Sequence, residues 1–146
     1  MTKRTPPEGF EPDNSNLEEF GQANSWYQLV GPLFHASDNK PGDVRMSFFS
    51  EQRYISSMGR VHGGKMSSFM DYLLFTSAHS AWGDTPLATI SLTINFVSAC
   101  PANVWVEGHG RVVRAGTEMA FVEGKVIAEG KPIVHGTGTF KKLTRG

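Results

Sequence analysis

The clearest periodic signal in the chain is "TISLTINF", residues 89–96, where Ile90, Leu92, Ile94 and Phe96 alternate with Thr89, Ser91, Thr93 and Asn95. Successive side chains of a strand point to opposite faces, so this period of two predicts a half-buried β-strand. Three later segments, about 103–114, 117–129 and 132–143, are separated by turns at Ala115-Gly116 and Gly130-Lys131 and read as a meander of antiparallel strands. Upstream, "GPLFHAS" and "VRMSFFSEQ" flank "DNKPGD", whose Asn, Pro, Gly and Asp supply turn dihedrals, and together they predict a hairpin.

The period changes in "GRVHGGKMSSFMDYLLF", residues 59–75. Spacing of three and four predicts one long helix from about Gly63 to Trp82, ended by Gly83 in the αL position that favours glycine. Met66, Met70, Leu73, Ser77 and Ala81 form one stripe of it, and Asp71 lies off that stripe with Ser67, Ser68, Leu74, Phe75 and Ala78. This second face is half apolar. Either it faces water, or it is buried and the carboxylate needs partners or a catalytic reason to be there. Gly108, Gly110, Gly124, Gly136 and Gly138 fall in phase with the apolar strand positions, where a glycine serves a bend or a close approach of other backbone. The obvious visitor is the long helix. The class is α+β, and a curved antiparallel sheet wrapped around one central helix, the hotdog arrangement, competes with a plain α/β roll.

Residues 1–16 mix Pro, Gly, Asp, Asn and Ser with little to bury and read as a flexible N-terminal arm, leaving residues 17–146 as a single domain. "LEEFGQANSWYQLV", from Leu17 to about Val30, predicts a short helix. The 14 basic and 14 acidic residues cancel, so there is no electrostatic footprint for nucleic acid or an anionic membrane. No stretch approaches the ~20 apolar residues of a membrane span, and the basic start has no apolar stretch behind it. One cysteine, Cys100, excludes an internal disulfide and fits a reducing compartment. The expectation is a soluble cytoplasmic protein.

Chemistry gathers at His62, Gly63, Gly64 and Asp71. A helix start offers unpaired backbone N–H groups and the positive end of the dipole, and glycines let a ligand oxygen come close, so "HGG" is a candidate oxyanion site as well as an ordinary loop–helix junction. Asp71 lies seven residues beyond Gly64, about 10 Å along the helix, whereas a base and an oxyanion donor must both come within ~3 Å of the reacting atoms. One helix can hardly do both. A two-fold dimer with antiparallel central helices would bring Asp71 of one subunit toward the HGG turn of the other, giving two interface sites. Other chemistries find no support. His35, His79, His109 and His135 form no metal spacing, Cys100 has no histidine near it in sequence, and no G-x-S-x-G or nucleotide-binding glycine pattern is present.

"SSMGRVHGG", followed by Asp71, then "TISLTINFVSACPA" and "RVVRAGTEMAFVEGKV", resembles the phenylacetic-acid-degradation (PaaI-type) branch of the hotdog acyl-CoA thioesterases over about residues 30–143. The resemblance implies a hotdog homodimer or dimer of dimers that cleaves an acyl-CoA ester and needs no cofactor, coenzyme A being part of the substrate. It implies that Gly63 or Gly64 polarises the thioester carbonyl, that Asp71 activates water or attacks, that Thr89 helps position the water, and that His62 orients the turn and contacts the thioester side. Where that family has Asn, this chain has Ser56, a shorter side chain with different donor geometry. This substitution keeps a non-catalytic acyl-CoA binding module in play, and an enoyl-thioester hydratase is a more distant alternative. Arg60, Arg111, Arg114 and Lys125 are candidates for the coenzyme A phosphates, with Arg114 named as the substrate-binding one. The acyl group, aromatic or medium-chain, is left open.

Overall fold

The computed structural model describes residues 4–13, 26–83 and 85–144. Among these, β1 (Phe10–Pro12), β2 (Phe34–Ala36), β3 (Asp43–Phe49), β4 (Leu87–Phe96), β5 (Trp105–Ala115), β6 (Met119–Ala128) and β7 (Lys131–Lys142) form one antiparallel sheet in the order β1-β2-β3-β5-β6-β7-β4. The helices are α1 (Trp26–Val30) and α2 (Gly63–Trp82). The 20-residue α2 packs against β3 through β7, and the whole is the hotdog fold. The predicted hairpin is β2–β3, the meander is β5–β6–β7, and the central helix has the predicted bounds.

The core lies between α2 and the concave face of the sheet. Met66, Phe69, Met70, Leu73 and Leu74 are each 2% exposed or less, and they meet Met46, Phe48, Val106, Val122 and Phe140 from the strands. Glycines make room for that contact. A Cβ on Gly108 would lie 2.7 Å from Leu73 Cδ2, one on Gly124 would lie 2.7 Å from Leu74 Cδ2 and 3.0 Å from Met70 Sδ, and one on Gly110 would collide with Ser77 Oγ. Gly136 differs from the other in-phase glycines: its Cβ would lie 2.6 Å from the Thr93 carbonyl oxygen of the neighbouring strand, so there the close approach is strand to strand.

Strict alternation in β4 is broken. Thr89 pairs with Phe140 and Ser91 with Thr139, leaving Ile90 as the extra residue of a β-bulge. The bulge reverses the phase before Ser91, so Thr89 joins Leu92 and Ile94 on the side of α2, while Ile90 is turned away and 55% exposed. The expected shared face of Ile90, Leu92, Ile94 and Phe96 is therefore corrected at Ile90; Phe96 keeps the phase of Leu92 and Ile94, with its ring beside Gly63 at the start of α2. Gly83 does take a positive φ of 73°, but its ψ of −158° lies outside the αL region.

The N-terminal arm is also revised. Phe10–Pro12 pairs with β2 at the sheet edge, Phe10 is buried, and the Asp13 carbonyl accepts the Tyr27 hydroxyl at 2.6 Å. Free edge amides and carbonyls of β2 recruit a segment whose composition alone gives no reason to order, and one phenyl ring anchors it. Residues 1–3 and 14–16, and the first part of the helix expected from Leu17, lie outside the described residues.

The glycine contacts differ in how far they can yield. Gly136→Ala meets backbone and should lower unfolding free energy by about 3 kcal/mol, whereas Gly124→Ala meets side-chain ends that can shift and should cost about 1–2 kcal/mol. Urea unfolding of the two variants checks the order.

Candidate active site

The site begins where the loop enters α2. His62, with φ −61° and ψ 137°, is the N-cap: its Nδ1 accepts the Gly64 N–H at 2.9 Å, and its carbonyl accepts the N–H groups of Lys65 and Met66 at 3.0 and 3.2 Å. This leaves the Gly63 N–H as the first-turn donor without an acceptor among the described residues. An unpaired amide at the positive end of a helix is an oxyanion binder. Gly63 and Gly64, equivalent in the sequence, are thus separated: Gly64 is consumed by the cap and Gly63 is free to serve a ligand. The Phe96 ring packs beside Gly63, 3.4 Å from where a Cβ would stand.

Ser56 sits in the loop that delivers His62. Its N–H donates to the Arg60 carbonyl at 2.7 Å, its carbonyl accepts from Gly59, and the positive φ of Gly59 (73°) closes the turn. Ile55 bridges Val61, so Ser56 and Arg60 lie beside the helix start, and Ser56 Oγ accepts the Met58 N–H at 3.3 Å.

Asp71 is half-buried two turns along α2. The bulge in β4 turns Thr89 toward it, and Thr89 Oγ1 donates to Asp71 Oδ1 at 2.8 Å. Burial raises the carboxyl above its ordinary pKa, and the Thr89 hydrogen bond works against that rise. Oδ2 has no protein donor among the described residues. Around the carboxylate lies a cavity of about 450 Å³, lined by Trp26, Tyr27, Val30, Ser67, Ser68, Tyr72, Phe75 and Leu92. A solvated face is therefore not what Asp71 occupies.

Arg114 is not brought to this cavity within one chain. It is exposed near the end of β5, three strands from β4 and so about 14 Å away at ordinary strand spacing. Arg111 pairs with Glu123 at 2.7 Å. Cys100 is buried and its thiol is pushed up to about 11, which removes it as a nucleophile near neutral pH. No cluster of metal-ligating side chains occurs among the described residues.

Sequence reasoning missed Lys65, which looks like an ordinary solvated first-turn residue. Its ammonium is buried, donates to the Val30 carbonyl at the end of α1, and lies 4.3 and 4.1 Å from the Phe48 and Tyr54 ring centroids. Burial, assisted by Arg53, pushes it down to about 7. Lys65 thereby ties α1, one wall of the Asp71 cavity, to the first turn of α2.

Among the described residues, a half-buried carboxylate with one oxygen that has no partner and a helix-start amide without an acceptor, both on the central helix of a hotdog sheet, define the class of protein: a thioesterase-type scaffold. The chain belongs to the thioesterase superfamily, whose family model matches residues 58–134, from the loop before His62 into β7. A presumed esterase of Pseudomonas aeruginosa, PA0474, is 26% identical over 135 residues, covering 92% of this chain and 95% of its own. The phenylacetic acid degradation protein PaaI of Thermus thermophilus, in a mutant form, superposes with a TM-score of 0.73 at 21% identity, covering 82% of this chain and all of that one (100%). The Streptococcus mutans protein smu.793, solved bound to acetyl CoA, gives 0.70 at 18% identity over 75% of this chain and 86% of its own.

The Asp71 geometry has a direct spectroscopic consequence. A carboxyl ¹³C titration should place its pKa above the ordinary value of 3.8, and Thr89→Val, which removes the opposing hydrogen bond, should move it higher still. An Asp71 titrating at its ordinary value in both proteins would contradict the burial described.

Proposed function

We propose that the protein is an acyl-CoA thioesterase whose two sites lie at the interface of a homodimer. The observation that carries this reading is the Thr89–Asp71 hydrogen bond inside a largely apolar cavity, on the same helix as the free Gly63 amide. Membership of the thioesterase superfamily supports it, as do the esterase relative and the acetyl CoA bound to the S. mutans protein.

Water held against Asp71 Oδ2, beside the Thr89–Asp71 hydrogen bond, attacks the thioester carbonyl, and Oδ2 takes its proton. The carbonyl oxygen becomes an oxyanion against the Gly63 N–H. Collapse breaks the C–S bond, the electron pair leaves with sulfur, and the proton on Asp71 passes to the thiolate, giving acid and coenzyme A. Burial raises Asp71 toward the range in which a carboxylate is a useful base. His62 acts through the cap, since it occupies the Gly64 amide and leaves the Gly63 one. In this reading Ser56 and Arg60, at the loop beside the helix start, meet the coenzyme A arm.

The edge strand supplies the dimer. Among the described residues β4 has one unpaired edge, and it carries exposed Ile90 and Phe96. Thr89 touches Asp71 near one end of β4, and Phe96 touches Gly63 at the other. Two β4 strands paired antiparallel about Leu92–Thr93 set Thr89 of one copy opposite Phe96 of the other, and Asp71 then faces the Gly63 amide of the second copy.

Free-thiol release over aliphatic and aromatic acyl-CoA esters tests the reading. Asp71→Ala should lower kcat/KM by about 10²–10⁴. Gly63→Pro should lower it by about 10²–10³ while keeping the helix, because proline at the first helical position removes an N–H that is already unpaired and His62 has the extended ψ that a following proline requires. Full activity in Asp71→Ala would exclude the mechanism. Ester binding with no thiol release would favour the non-catalytic binding module that Ser56 keeps open.

A further inference from the structure

The face of α2 that carries the site continues toward its C-terminus, with Tyr72, Thr76 and Ser80 in a row at i, i+4 spacing. Two cavities lie along this row. Tyr27, Asp71, Tyr72 and Phe75 line the first, of about 450 Å³. Asp13, Val44, Met46, Thr76 and Ser80 line the second, of about 400 Å³.

Among the described residues, a hydrogen-bonded pair stands between them. Tyr72 Oη donates to Asp13 Oδ2 at 2.9 Å, with Tyr72 lining the first cavity and Asp13 the second. The same residue, Asp13, is 6% exposed, and its carbonyl accepts Tyr27 Oη at 2.6 Å. The Tyr27 and Tyr72 rings lie 6.0 Å apart at a tilt of 53°, so the two phenols pack against each other beside Asp13.

We propose that Tyr72, held by Asp13, is the end wall of the acyl pocket and sets the longest acyl group the protein accepts. This inference rests on the thioesterase reading above. With the carbonyl at Asp71 and the acyl tail directed along α2, a compact acyl group ends at the Tyr72 ring, and an extended chain is stopped by it. Removing the ring joins the second cavity and lengthens the pocket by about 6 Å, the rise from Tyr72 to Thr76, room for roughly five more carbons of extended chain. Each methylene newly buried is worth about a threefold to fourfold gain in binding.

The test compares kcat/KM for hexanoyl-CoA and dodecanoyl-CoA. Wild-type protein should prefer the shorter ester, and Tyr72→Ala should raise the dodecanoyl-to-hexanoyl ratio by about tenfold or more. Tyr72→Phe keeps the ring and should keep the wild-type ratio. Thr76→Phe, added to Tyr72→Ala, refills the second cavity and should restore the preference for hexanoyl-CoA, a reversal that simple loss of stability does not produce. Should Tyr72→Ala fail to fold, Tyr72→Leu carries the same comparison with an apolar, shorter side chain. An unchanged ratio in a folded shortened variant that still cleaves hexanoyl-CoA overturns the wall and leaves the thioesterase reading standing. No thiol from either ester in wild-type protein overturns the thioesterase reading, and the ratio of Kd values for the same two esters then decides on the wall alone.

Discussion

Everything in this molecule depends on how closely α2 can approach the sheet. Gly108, Gly110 and Gly124 remove the Cβ atoms that would hold the helix away, so Leu73, Leu74, Met70 and Ser77 rest almost on strand backbone. At that distance the sheet encloses much of the helix. Between Lys65 and Trp82 no residue of α2 is fully exposed. The outward face is therefore half-buried rather than solvated, which explains how an aspartate there loses water and gains a threonine partner.

The same seating fixes both ends of the chemistry. The start of α2 lies against Phe96 at one end of β4, and Asp71 lies against Thr89 near the other. Two local devices complete the arrangement. The N-cap assigns one glycine amide to His62 and leaves its neighbour free, and the bulge at Ile90 turns Thr89 inward. Each device decides where one polar atom of the candidate site points.

Much of this was legible in the residues because it is local. Helix period, the HGG start, strand alternation and in-phase glycines each read out over a few neighbours, and the resemblance implied that Thr89 and Asp71 act on one water; their direct hydrogen bond comes from the structure. What escaped depends on partners far along the chain. The bulge is visible only through the register with β7, which moves Thr89 to the face opposite the one that alternation assigned. Phe10 looks like part of a polar arm until the β2 edge is there to pair with it. Lys65 is buried by Val30, Phe48 and Tyr54, and Tyr72 is held by Asp13, 59 positions away. Arg114 shows the converse, a charge of the right type on a strand that the sheet order sets three strands from β4 and its Thr89.

The central claim is that one site draws Gly63 from one copy and Asp71 from another, since α2 holds them about 12 Å apart along its axis. Mixing inactive Asp71→Ala subunits with inactive Gly63→Pro subunits, unfolding and refolding them together, and measuring thiol release tests this directly. Random reassortment makes half the dimers mixed, each with one intact site and one site lacking both groups, so activity should return to about a quarter of wild type. A mixture that exchanges subunits and stays as inactive as its parents would contradict the account.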